Sequence, residues 1–107
     1  MAEIRQADLA EIYDMHQDQA AGRIWIDIRR PDEWEEGVIP GAERIALDQL
    51  PEALASLDPA KTHVLICRSG ARSNRACQLM ADAGFSQLIN FNGGMQAWYQ
   101  ADYPLEN

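Results

Sequence analysis

Short apolar runs alternate with amphipathic segments along this chain, and the alternation predicts strands separated by helices. The strongest strand signal lies at residues 64–66, a β-branched apolar run typical of strands that are covered on both faces. Further strands are predicted over residues 3–5, 23–29, 44–47 and 87–91. This order of elements favours an α/β fold, with a mostly parallel sheet between helices on both of its faces.

Capping residues indicate where the helices begin and end. Ser73 is a good N-cap for a helix over residues 74–83, and Gly84 follows where a left-handed C-terminal cap belongs. Asp48 is expected to cap a helix that runs to about Leu57. Asp8 is expected to cap a helix that runs to about Gln17, residues 30–37 are predicted to form a turn and a short helix, and a last short helix is predicted over residues 95–101.

Cys67 is the first residue after the strand at residues 64–66, and a predicted helix follows it closely. In open parallel sheets the ligand crevice lies at this carboxyl end of the strands. Backbone N–H groups of a helix start and of a short loop containing glycine attract anions. Arg68, Arg72 and Arg75 add positive charge, and no Asp or Glu occurs over residues 67–81. We therefore expect a thiol that loses its proton easily, with an anionic ligand beside it.

Composition and charge exclude several classes of function. A length of 107 residues suits one domain, which we expect to span residues 1–107. The formal net charge of −8 argues against nonspecific nucleic-acid binding and against attraction to acidic membranes. Neither a signal peptide nor a membrane-length apolar run is visible, which favours a cytoplasmic location and reduced cysteines. No Cys/His cluster has the spacing of metal ligands.

The segment at residues 67–73 reads Cys-Arg-Ser-Gly-Ala-Arg-Ser and resembles the active-site loop Cys-Arg-x-Gly-x-Arg-Ser of single-domain rhodanese sulfurtransferases. Cysteine phosphatases use His-Cys-x5-Arg, whereas here Ile66 precedes the cysteine and Arg72 gives the shorter Cys-x4-Arg spacing. Three other segments are similar to rhodanese motifs and occur in the same order: residues 26–34, 37–42 and 93–98. Val38 stands where many relatives have histidine, and we expect it to change local packing without loss of catalysis.

The resemblance implies a rhodanese-like fold, a three-layer α/β/α sandwich around a mostly parallel five-stranded sheet. It also implies that Cys67 carries sulfur as a persulfide. The thiolate would take the outer sulfur of thiosulfate or a similar small anionic donor, and cyanide, a small thiol or a protein thiol would accept it. No cofactor, metal or general base is expected to take part, and neither nucleic acid nor membrane is an expected partner.

The expected site consists of the loop and of residues that border its crevice. Cys67 is the expected catalytic residue. The residues expected to bind substrate follow it: Arg68, Ser69, Gly70, Ala71 and Arg72. Arg72 could instead pair with an acid from another loop. Four residues could border the crevice: Asp27, Arg29, Gly93 and Gly94. For Arg29, an internal ion pair with Glu33 or another acid is the alternative.

Two other titratable residues are not expected to be catalytic. His63 precedes Cys67 by four residues on one strand, which places it roughly 13 Å away at the opposite end, in a structural or solvent-exposed position. Cys77 shares a helix stripe with Met80, and we expect it to pack in the core.

Two other functions share the same cysteine. The chain could be a sulfur carrier or redox-sensing module whose partner is a protein thiol, since that function needs the same loop. A cysteine phosphatase or arsenate reductase is disfavoured by the short loop and by Ile66 before the cysteine. A non-catalytic scaffold is disfavoured by the cysteine itself.

Overall fold

A five-stranded sheet runs through the middle of the protein, whose computed structural model describes residues 3–107. The strands in chain order are β1 (Glu3–Ala7), β2 (Ile24–Asp27), β3 (Glu43–Arg44), β4 (His63–Ile66) and β5 (Gln87–Phe91). Their spatial order is β1-β5-β4-β2-β3, and every pair of neighbours is parallel. The predicted sheet is confirmed, with β4 at its centre.

Helices cover both faces of this sheet. They are α1 (Leu9–Gln17), α2 (Pro31–Trp34), α3 (Leu50–Ala53), α4 (Ala71–Asp82) and α5 (Gly94–Gln100). One apolar cluster holds residues of α1 and α5, and a second holds residues of α3 and α4. Successive side chains of a strand point to opposite faces, so Val64 and Ile66 join the first cluster and Leu65 joins the second. The result is the predicted α/β/α sandwich.

The described helices are all too short or too polar to span a lipid bilayer. The longest of them is α4, which has 12 residues, whereas a membrane-spanning helix needs about 20 apolar residues.

The start of α4 differs from the prediction. Gly70 is the N-cap and Ala71 the first helical residue, so the prediction that Ser73 caps this helix was wrong. The Ser73 hydroxyl points inward and lies 3.3 Å from the Gly70 carbonyl oxygen. Glycine is required at position 70 because φ is +97° and a Cβ there would lie 2.3 Å from the backbone oxygen of Asn92. Gly84 is left-handed just after the helix, as predicted.

The segment after β3 is less regular than predicted. The expected helix from Asp48 to Leu57 is divided into a 3₁₀ turn at residues 47–49, the short α3, and a second 3₁₀ turn at residues 54–56. Asp48 makes no capping hydrogen bond, and Pro51 has no N–H with which to continue a helix from Leu47. The strand before it is also shorter than predicted, with two residues.

His63 begins β4, at the opposite end of the strand from Cys67, as predicted. It is fully buried, so it is structural rather than solvent-exposed. Its Nδ1 lies 2.9 Å from the carbonyl oxygen of Lys61, and its ring packs edge-on against Phe85. Burial lowers the pKa of His63, because the charged imidazolium would lose its hydration there.

Candidate active site

Cys67 lies directly after β4, at the carboxyl edge of the sheet. Only 1% of this residue is exposed. Its Sγ accepts a hydrogen bond from the Gly70 N–H at 3.1 Å and lies 3.2 Å from the Ser73 hydroxyl oxygen. Both cysteines are free thiols. The sulfur is thus available for chemistry, but only a small group can approach it without movement of the loop.

The backbone donors of the loop are only partly used. Of the N–H groups at residues 68–72, that of Gly70 reaches the sulfur, and the other four have no acceptor within residues 3–107. Free N–H groups in a loop that leads into a helix form a site suited to anions. The loop therefore has the donors needed to hold an anionic group beside Cys67.

The start of α5 holds the backbone of the loop in place. The N–H of Met95 donates to the Cys67 carbonyl at 2.8 Å, and that of Gln96 to the Arg68 carbonyl at 3.0 Å. Gly94 permits this approach, because a Cβ there would lie 2.3 Å from the Arg68 oxygen. Gly93 instead faces its own helix. Gly94 thus packs against the loop, whereas no such contact involves Gly93 among the described residues.

Arg68 and Arg72 are engaged very differently. Arg72 forms two hydrogen bonds to the Glu33 carboxylate, at 2.7 and 2.9 Å, so the structure shows the acid pairing that the sequence left open. These bonds lower the pKa of Glu33 from its ordinary 4.5 to about 2, although partial burial opposes the shift. Arg68 is exposed and has no ion pair in the described part of the chain. Of these two loop arginines, Arg68 is therefore the one whose guanidinium has no ion pair among the described residues.

Asp27 and Arg29 form a buried ion pair. Arg29 donates to both carboxylate oxygens of Asp27, to the Gly37 carbonyl and to the Tyr99 hydroxyl. The two residues are 0% and 2% exposed. The alternative of an internal pair is therefore observed, with Asp27 rather than Glu33 as the acid. The side chains hold the end of β2 in place.

Two further positions that the sequence singled out, Val38 and Cys77, lie in the core. Val38 is fully buried and forms an isolated backbone bridge with Glu106, so the residue that replaces the usual histidine packs between chain segments. Cys77 is fully buried in α4, as predicted, and burial raises its pKa to about 12. Cys77 therefore remains a protonated thiol.

Asn90 lies close to the sulfur and was missed by the sequence reasoning. It is 1% exposed on β5, and its Oδ1 accepts a short hydrogen bond from the Ser73 hydroxyl. Its Nδ2 donates to the Gly70 carbonyl at 3.1 Å and to Gln6 Oε1 at 2.8 Å. A polar amide inside an apolar strand needs a buried partner, and this was the signal that could have identified it.

Comparisons with known proteins identify relatives of this chain. A family model described as a rhodanese-like domain matches residues 8–101. The chain is 44% identical over 73 residues to the putative sulfurtransferase YtwF of Bacillus subtilis, covering 68% of this chain and 70% of the relative. It is 29% identical over 91 residues to the thiosulfate sulfurtransferase GlpE of Stutzerimonas stutzeri, covering 85% and 83%. The structure matches a rhodanese-related protein from Thermoplasma volcanium with a TM-score of 0.81 and 27% identity, covering 95% and 97%.

Fold and site together define a class of α/β/α domains that present one cysteine in a loop after the central strand. The chain belongs to the rhodanese-like domain family. The family predicted from the loop at residues 67–73 is thereby confirmed, and relatives in it carry the name sulfurtransferase.

Proposed function

We propose that the protein is a sulfurtransferase in which Cys67 carries sulfur as a persulfide. The observation that carries the proposal is the setting of Sγ, which accepts the Gly70 N–H inside a loop with four unused N–H donors. Relatives named as sulfurtransferases support the same activity. The site residues would be Cys67 as the nucleophile and residues 68–72 as the substrate-binding loop.

The reaction would proceed in two steps. The Cys67 thiolate attacks the outer sulfur of the donor, a new S–S bond forms, and sulfite leaves with the electron pair of the broken bond. The acceptor then attacks that outer sulfur, and Sγ leaves again as a thiolate. The sulfur atom and the electron pairs are conserved over the cycle, so no external oxidant or reductant is required. Release of the first product before the second step predicts ping-pong kinetics.

Thiosulfate or a similar small anion is the proposed donor. The burial of Cys67 favours a donor with a slim terminal sulfur, and the free N–H groups and Arg68 favour a negative charge. The chain as a whole carries a charge of −8 and repels anions, so this local positive region has to attract them. The name of the GlpE relative supports thiosulfate. Cyanide, a small thiol or a protein thiol would be the acceptor.

Thiocyanate formation from thiosulfate and cyanide tests the proposal. The wild-type protein should form thiocyanate, Cys67→Ala should form none, and Cys77→Ala should retain the activity because Cys77 lies in the core. Equal activity in wild type and Cys67→Ala would exclude the proposed nucleophile. Hydrolysis of an aryl phosphate by wild type but not by Cys67→Ser would instead indicate a cysteine phosphatase.

A further inference from the structure

A chain of uncharged side chains connects the Cys67 sulfur to the edge of the sheet. Ser73 Oγ lies 3.2 Å from Sγ and also contacts Asn90 Oδ1. Asn90 Nδ2 donates to Gln6 Oε1 at 2.8 Å, and Gln6 Nε2 donates to Asn74 Oδ1 at 2.8 Å. The first three members are buried, whereas Gln6 is exposed on β1. The proposed reaction does not yet use Ser73 or Asn90.

The Gly70 carbonyl determines which way the Asn90 amide points. This carbonyl lies 3.1 Å from Asn90 Nδ2 and can only accept a hydrogen bond. A flipped amide would place its oxygen against the Gly70 oxygen, which is repulsive in a buried site. Asn90 therefore has to present its oxygen, an acceptor, to the Ser73 hydroxyl.

The Ser73 hydroxyl has three acceptors within reach for its single proton: Asn90 Oδ1, Sγ and the Gly70 carbonyl 3.3 Å away. The Gly70 carbonyl already accepts from Asn90 Nδ2 and the Asn74 N–H, which leaves Asn90 Oδ1 and Sγ as the competing acceptors. While the proton is donated to Asn90, the oxygen of Ser73 presents lone pairs to the sulfur and accepts from a Cys67 S–H. A thiolate or a persulfide has no proton on Sγ. In the thiolate, Sγ also carries the negative charge, so the Ser73 hydroxyl stabilises the sulfur more as a donor, since hydrogen bonds to a charged group are the stronger ones.

We propose that Asn90 is a positioning residue that keeps the Ser73 hydroxyl proton directed away from Sγ in the thiol state and releases it to Sγ when Cys67 becomes a thiolate. The reaction then includes a rotation of this hydroxyl from Asn90 Oδ1 to Sγ. Asn90 competes with the sulfur for one proton, so its carbonyl favours the resting thiol. This role deepens the proposed sulfur transfer and rests on it for its biological purpose.

The pH dependence of Cys67 alkylation tests the proposal without any sulfur donor. Iodoacetamide is the reagent, and peptide mass mapping measures its reaction with Cys67 in folded protein. Asn90→Leu removes the competing carbonyl and should accelerate alkylation about two- to tenfold at pH values below the half-maximal point, the range expected for one hydrogen bond. Asn90→Ala removes the same carbonyl with a smaller side chain and should act in the same direction.

The double variant separates positioning from a general structural effect. If Asn90 acts through the hydroxyl, Asn90→Leu should have no further effect in a Ser73→Ala background. Ser73→Ala alone should slow alkylation, because the thiolate loses a donor. Gln6→Leu is the matched control: it removes a partner of Asn90, but the Gly70 carbonyl still orients the amide, so alkylation should match wild type.

Cys77 reports unfolding within the same experiment, since it is fully buried and should stay unmodified in every folded variant. The proposal is overturned if the Asn90 variants alkylate at the wild-type rate or more slowly while Cys77 stays protected. It is also overturned if the acceleration persists in the Ser73→Ala background. Alkylation needs no sulfur donor, so either result would refute the role of Asn90 without testing sulfur transfer. The thiocyanate assay tests sulfur transfer separately.

Discussion

Two arginine–carboxylate ion pairs among the described residues have the same chemistry but different surroundings. Arg29 and Asp27 form a pair at the end of the strand in which the side chains are 2% and 0% exposed. Arg72 and Glu33 form a pair between α4 and α2 in which the side chains are 34% and 12% exposed. In both pairs an arginine contacts both carboxylate oxygens, so only their burial and their positions differ.

The difference shows what each pair contributes. The buried arginine also donates to the Gly37 carbonyl and the Tyr99 hydroxyl, and loss of its acid would leave a charge far from water. The outer pair, Arg72 and Glu33, is partly exposed to solvent, so its loss should change the stability of the fold only slightly. It also places an acid next to an arginine of the cysteine loop. We conclude that the inner pair maintains the fold, whereas the outer pair adjusts the charge of the site.

Removing the inner acid should have the largest effect on stability. Asp27→Asn leaves Arg29 buried without a countercharge and should lower the free energy of unfolding by about 3–5 kcal/mol. Urea unfolding measures the change. Asp32→Asn is the matched control, because its pair with Arg30 is exposed, and it should change stability by less than about 0.5 kcal/mol. Equal effects of the two substitutions would contradict the distinction between the pairs.

The free and the paired arginine of the loop should differ in their effect on donor binding. Arg68→Gln removes the unpaired charge of the cysteine loop and should raise the KM for thiosulfate about tenfold. Arg72→Gln removes a charge that Glu33 already neutralises, so it should raise the KM for thiosulfate only about threefold. Steady-state kinetics of thiocyanate formation provide the comparison. A larger effect at Arg72 would show that it leaves Glu33 to bind the donor.

Lowering the pH should show how much the Arg72–Glu33 pair contributes to the free energy of unfolding. The folded pKa of Glu33 is lowered to about 2 by Arg72, so the unfolded chain, with the ordinary value of 4.5, binds the proton first. The contribution of Glu33 is complete above pH 4.5 and is lost as the pH falls toward 2. Between about pH 6 and pH 3, the free energy of unfolding of Glu33→Gln should therefore fall by about 1 kcal/mol less than that of wild type. Urea unfolding at each pH measures the difference.

Glu35→Gln provides the control for this acid experiment. Glu35 is exposed next to α2 and forms no ion pair among the residues described. Its substitution should leave the pH dependence as in wild type. An identical pH dependence of Glu33→Gln and wild type would mean that the Glu33–Arg72 pair contributes nothing to folding.

The parts of the structure that depend on local sequence were predictable. The strand at residues 64–66 and the last strand, Gln87–Phe91, follow from apolar runs, and the candidate site follows from the cysteine directly after the central strand. In a parallel sheet the carboxyl ends of the strands meet at one edge, so the location of Cys67 needed no coordinates.

Contacts between distant residues were not predictable in the same way. Glu33 and Arg72 are 39 residues apart, and nothing in the neighbourhood of either residue selects this partner over another acid or cation. Ser73 has the residue type of a helix cap, yet the close approach of Gly70 to Asn92 moves the cap to the glycine and turns the serine inward. Tertiary packing decided both outcomes.

The mass of the protein after exposure to thiosulfate tests the central claim most directly. Wild-type protein, freed of excess thiosulfate, should gain the mass of one sulfur atom, mapped to the peptide that contains Cys67 and removed by cyanide. Cys67→Ala should gain nothing, and Cys77→Ala should behave as wild type. No added sulfur on folded wild-type protein, or added sulfur that persists in Cys67→Ala, would contradict the account.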